Sequence, residues 1–195
     1  MKICPWLAAP IFALASSAQA AGPMTLLDAT YALAIDSRLG RIEVCGLNFE
    51  LLALNSEGAA FLVGGSANLT FSAGGLPLLI TKIEAFASFG GSVGPLSIEL
   101  FYIRVGSLNT LDFVSSRGED GFSRISAVSL FDSVEYVALI DHLLRSGGQL
   151  GFNTGDQRDH TVTLPAASDR TLSQQMNECA EAGLDQLRRE AGGGP

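Results

Sequence analysis

Apolar and polar residues alternate with a period of two through much of the chain. From Leu27 the odd positions read Leu27, Ala29, Tyr31, Leu33 and Ile35, with Asp28, Thr30 and Asp36 among the even ones. A second run sets Cys45, Leu47, Phe49 and Leu51 against Gly46, Asn48 and Glu50. A third sets Phe61, Val63, Ala67, Leu69 and Phe71 against Ser66, Asn68, Thr70 and Ser72. A fourth opposes Ile83, Ala85, Ala87 and Phe89 to Lys82, Glu84 and Ser88. The runs "LSIELFYIRV", "NTLDFV", "RISAVSLF" and "HTVTL" follow. Such alternation puts one face of each strand in a core and the other toward solvent. Between the runs lie "NSEG", "SAGGLP", "FGGSVGP" and "SSRGEDG", which are turn compositions too short to hold crossover helices. The pattern therefore predicts a mainly β fold: an antiparallel sandwich or open barrel of about eight strands.

Two segments depart from the period. "DSVEYVALIDHLLRSGG" predicts a further helix near residues 133–146, with Asp132 at its start and Gly147 at its end. Thr171–Glu190 predicts a firmer C-terminal helix, opened by a Thr171/Gln174 capping box and closed by Arg188 and Arg189. At about 100° per residue, Leu172, Met176, Cys179, Ala180, Gly183 and Leu187 share one face. That face is expected to pack on the sheet.

The first twenty residues change the picture from fold to compartment. Lys2, an apolar run ending near Ala15 and Ala18-Gln19-Ala20 have the order of a secretory signal with an A-x-A cleavage site. The expected division is a signal over 1–20, one β-rich domain over 21–190 and a disordered tail over 191–195. The expected localisation is the periplasm or the outside of the cell. Cleavage after Ala20 leaves 195 − 20 = 175 residues, enough for a core of its own. No stretch of that mature chain has the length of a transmembrane helix. Losing Lys2 takes the formal charge from −8 to −9, which disfavours nucleic acid as a partner.

Export also gives the cysteines a meaning. Cys4 leaves with the signal, so Cys45 and Cys179 remain as an even pair in an oxidising compartment. Both lie on core-facing positions, and a Cys45–Cys179 disulfide is expected. There is no C-x-x-C, and buried thiols lack the electropositive setting of a reactive cysteine.

Candidate chemistry is sparse. "NTGDQRDH" holds Asp156, Asp159 and His160, donors that fit a metal site or an acid–base pair, or simply a charged hairpin. "SSRGEDG" offers Arg117, Glu119 and Asp120 as a contact loop. Gly90-Gly91-Ser92-Val93-Gly94 spells G-x-S-x-G but sits between two alternating strands rather than at a strand-to-helix elbow, and no P-loop lysine or cofactor motif occurs. "GAAFLV", "GLPLLI" and "LSIELFYIRV" suit central strands, or an apolar edge through which copies form a homo-oligomer. These features favour an exported binding, assembly or envelope-associated module over an enzyme, with an unknown protein or small ligand as its partner. The alternatives are a metal-assisted hydrolase using Asp156, Asp159 and His160, and a carrier of an apolar ligand held between the sheet and the last helix.

Overall fold

The computed structural model describes residues 22–72, 76–89, 91–130, 134–155 and 158–192. The expected signal over 1–20, Asp132, Asp156 and the tail beyond residue 192 lie outside the described residues.

Eleven strands and two helices make up the described chain, nine strands preceding the first helix and two more separating it from the second. The strands are β1 (Thr25–Arg38), β2 (Arg41–Leu54), β3 (Ala60–Thr70), β4 (Leu78–Phe89), β5 (Ser92–Leu96), β6 (Ile98–Val105), β7 (Leu108–Asn109), β8 (Val114–Arg117), β9 (Arg124–Ser129), β10 (Gly148–Thr154) and β11 (Asp159–Leu164). The helices are α1 (Leu139–Ser146), entered through a 3-10 turn over Val134–Ala138, and α2 (Thr171–Glu190). One sheet runs β1-β2-β3-β4-β9-β8, with β5 added alongside β4, and the other runs β11-β10-β6-β7. Every strand pair is antiparallel, and neither sheet closes on itself.

The alternation read from the sequence is what builds the interior. Leu47, Phe49 and Leu51 of β2 are buried, and they stand in register with Ala67, Gly65 and Val63 of β3. From the second sheet come Phe101, Ile103, Leu150, Phe152, Val162 and Leu164, and from the helices Leu139, Ile140, Leu143 and Met176. All belong to one contiguous core. Burying a side chain of this size contributes about 1.5–3 kcal/mol. Polar side chains are buried as well, among them Thr81 on β4 and Ser126 on β9, whose hydroxyls bond each other at 2.7 Å. That mutual bond removes the penalty of an unsatisfied buried hydroxyl.

The C-terminal helix lies on β2. Cys45 and Cys179 stand at disulfide distance, with their Cα atoms 5.8 Å apart across 134 residues of sequence. One turn further on, Gly183 meets the ring of Phe71 so closely that a Cβ would collide with it. Near the helix end the Gln186 amide treats β2 as a neighbouring strand would. Its Oε1 accepts from the Ile42 N–H at 3.0 Å, and its Nε2 donates to the Ile42 carbonyl at 3.3 Å. Arg41 pairs with Glu190 at 2.7 Å beyond it.

Some expectations are corrected. Thr171 does not cap α2: it is the first helical residue, Arg170 stands at the N-cap position without a side-chain cap bond, and Asp169 before it accepts at Oδ1 from the Thr171 N–H at 2.8 Å and hydroxyl at 2.7 Å. Gln174 donates instead to Glu178. "NTLDFV" is not one strand, because Thr110 leaves the ladder to satisfy Ile103 with its hydroxyl and its N–H. The chain then turns through Phe113 before β8 begins.

Candidate functional site

Residues 158–164 show how the period of two governs the candidate metal ligands Asp159 and His160. Asp159 opens β11 and His160 follows it, so the two side chains leave opposite faces of the strand. Asp159 is exposed and accepts from the Asn153 amide at 2.8 Å across the hairpin. His160 is 3% exposed and lies between the rings of Phe61 and Phe152, at 4.9 and 5.0 Å between centroids. The imidazole therefore shares the inner face with Val162 and Leu164. Asp159 and His160 do not converge, and Asp156 lies outside the described residues. Among the described residues no group of three His, Cys, Asp or Glu side chains could hold a metal ion.

The loop between β8 and β9 is tied to itself and to its neighbours. Asp120 accepts from the Ser123 hydroxyl and N–H, both at 2.7 Å, and from the Phe122 N–H at 3.0 Å. The Ser123 hydroxyl is the largest of the causes that bring its carboxyl down to about 2, with Lys82 3.7 Å away adding a smaller pull. Arg117 reaches Glu99 at 2.6 Å, the Ser97 hydroxyl and the Gly121 carbonyl. Glu119 is exposed at the tip. Of the three expected contact residues, Arg117 and Asp120 thus shape the loop.

A polar cluster absent from the sequence reading joins the helices. Asp141 of α1 accepts at one oxygen from Arg145 at 2.9 Å, from the Asn177 amide at 3.0 Å and from the Ser173 hydroxyl. Burial pushes the Asp141 carboxyl up, but bonds from Ser173, Arg145 and Asn177 outweigh it and hold the group below its ordinary value. Beside this cluster an open groove of about 660 Å³ runs along α2, past Leu144, Ala166 and Glu181.

A second groove, of about 580 Å³, follows the outer edge of β1. Its floor is Leu26 to Tyr31, and its far wall is the segment from Pro165 to Asp169 together with Leu172. The Tyr31 hydroxyl donates to the Pro165 carbonyl at 2.8 Å, and burial raises its ionisation to about 12. The hydroxyl therefore serves as a neutral tie across the base of the groove. At the other end of β1 the chain reverses through Leu39 and Gly40, both at positive φ (53° and 76°). Such a two-residue turn matches the strand twist, but a leucine seldom holds that conformation. Leu39 is 100% exposed; Ile35 and Leu27 on the same strand are 53% and 54% exposed.

No family model, no curated protein and no solved structure matches this chain.

Proposed function

We propose that the protein is an exported, non-enzymatic module that works by contact, as a binding, assembly or envelope component. Its two sheets are read as the faces of an open sandwich, and its contact surface as the outer edge of β1 with the groove beside it. The edge itself carries this reading. β1 runs from Thr25 to Arg38 and is the terminal strand of the larger sheet. Among the described residues its outer side has one bridge, Pro23 to Thr161. A long edge normally carries lysine, proline or inward charges that block further pairing. Here the strand holds no lysine or proline, its ladder runs without interruption from Asp28 to Asp36 between a bulge at either end, and Leu27 and Ile35 are exposed on it.

The apolar runs singled out in the sequence are not this edge. "GAAFLV" and "GLPLLI" lead into the central strands β3 and β4, and "LSIELFYIRV" forms the central β6. A hydrolase built on Asp156, Asp159 and His160 would need the His160 ring to leave the two phenylalanines that enclose it. An apolar carrier would need room between α2 and β2, where the backbone at Gly183 lies against Phe71.

Photo-crosslinking in exporting cells tests the reading. A photoreactive residue in place of Leu39 is expected to give a discrete adduct, and one in place of Glu181, on the exposed side of α2, none. No adduct at position 39, or the same adducts at both positions, contradicts it.

A further inference from the structure

We infer that the partner of the β1 edge is a second copy of this chain, joined about a two-fold axis that passes beside Leu33. The inference rests on the contact reading above and names its partner. Three properties of β1 select this arrangement.

The first is parity. Ala29, Tyr31 and Leu33 stand opposite the buried Leu51, Phe49 and Leu47, whereas Thr30 and Ala32 stand opposite the exposed Glu50 and Asn48. An antiparallel pair of β1 strands must keep inner faces together, because a slip of one residue turns every side chain over. Only registers that pair odd with odd and even with even survive.

The second is charge. With Leu33 opposite Leu33, Asp28 of each copy faces Arg38 of the other, and Tyr31 faces Ile35. Moving the centre to Ala32 sets Asp28 against Asp36 twice. Moving it to Ala34 leaves Asp28 facing the turn and Arg38 facing Thr30. Opposite charges directly across a ladder stabilise it, and like charges oppose it. Arg38 is exposed and, among the described residues, makes no ion pair.

The third is shape. The register that pairs Asp28 with Arg38 also brings Leu39 of one copy to Leu27 of the other. The fully exposed hairpin tip is thereby directed into the groove between β1 and the Pro165–Asp169 segment, whose apolar lining includes Leu27, Ala166 and Leu172. The carboxylates of Asp28 and Asp169 border that groove, and Arg38 precedes the tip. Knob and groove sit at opposite ends of one strand, so a two-fold axis fills both grooves at once and closes the assembly at two copies. A leucine kept at positive φ on a tip has a use in such an arrangement.

Sedimentation of the purified protein over a range of concentrations tests this. The wild type is expected to dimerise. Arg38→Asp and Asp28→Arg are each expected to weaken the dimer roughly tenfold, since each turns two attractive pairs into repulsive ones. The double variant D28R/R38D regenerates both pairs with reversed sign and is expected to recover the wild-type dimer. Leu39→Asp is expected to weaken it without recovery in the charge-swapped background. All three substitutions are at exposed positions, and circular dichroism should show the same fold. A wild type that stays monomeric up to its solubility limit overturns the second copy as partner. So does a dimer whose double variant is no tighter than either single. A monomer that still gives a heavier, non-homodimeric adduct at position 39 overturns this inference alone, whereas no adduct overturns the contact reading itself.

Discussion

Asp120 and Asp141 are both held ionised below their ordinary range, by different surroundings. Asp120 is an exposed loop carboxylate whose bonds come from Ser123 and Phe122; Asp141 overcomes partial burial through donors from two helices. The depressed carboxyl of Asp120, about 2 against an ordinary 3.8, stabilises the fold above that ordinary value, and the contribution is lost as pH falls toward 2. Asp120→Asn is therefore expected to be less stable than wild type at neutral pH, with a gap that shrinks as pH falls below 3.8 and through about 2. A stability gap that does not change with pH contradicts that cause. Asp141→Ala leaves Ser173 and Asn177 with donors and no acceptor, and is expected to cost about 1–3 kcal/mol in urea unfolding. Only part of this was legible in the sequence. The i,i+4 spacing of Asp141 and Arg145 could be read, but Ser173 and Asn177 lie 32 and 36 residues away and meet Asp141 only through the packing of α2. The inward setting of His160 could be read from its shared parity with Val162 and Leu164. The same parity places Asp159 outward, so adjacency along the strand kept the expected ligands apart.

The element that depends most on individual contacts is α2. It is held on β2 by Cys45–Cys179, by the Gly183–Phe71 approach, by Gln186 on the Ile42 backbone and by Arg41–Glu190. Removing the disulfide with Cys45→Ala/Cys179→Ala is expected to lower stability by about 2–5 kcal/mol, measured by urea unfolding without reductant. Gly183→Ala puts a methyl group into the Phe71 ring and is expected to cost about 1–3 kcal/mol. An unchanged denaturation midpoint in either variant would show that the helix is held by other means. Both sulfur positions were legible, one from strand parity and one from the apolar face of the helix. The short strands were not: β5, β7 and β8 hold five, two and four residues, too few for alternation to register. The capping box was misread because Thr171 and Gln174 match its pattern, while the helix begins at Thr171 itself, whose N–H and hydroxyl are taken by the stronger acceptor Asp169.

For the whole molecule the decisive property is the order of strands, which alternation does not specify. Strongly apolar runs became the central β3, β4 and β6, where neighbours cover both sides. The more moderate run from Thr25 to Arg38 became the edge, where the exposure of Leu27 and Ile35 gains meaning. The net charge of −8 is spread over the chain and sets no partner by itself. What distinguishes β1 is the Asp28 carboxylate near one end and the Arg38 guanidinium at the other, two residues beyond Asp36, with an apolar tip past Arg38 and a groove beside Asp28. Hydrogen exchange followed by mass spectrometry at low and high protein concentration tests this most directly. The account predicts that amides between Asp28 and Arg38 exchange more slowly at high concentration, while the central β3 and β4 are unchanged. Exchange along β1 that does not depend on concentration, or slowing confined to another face, would contradict it.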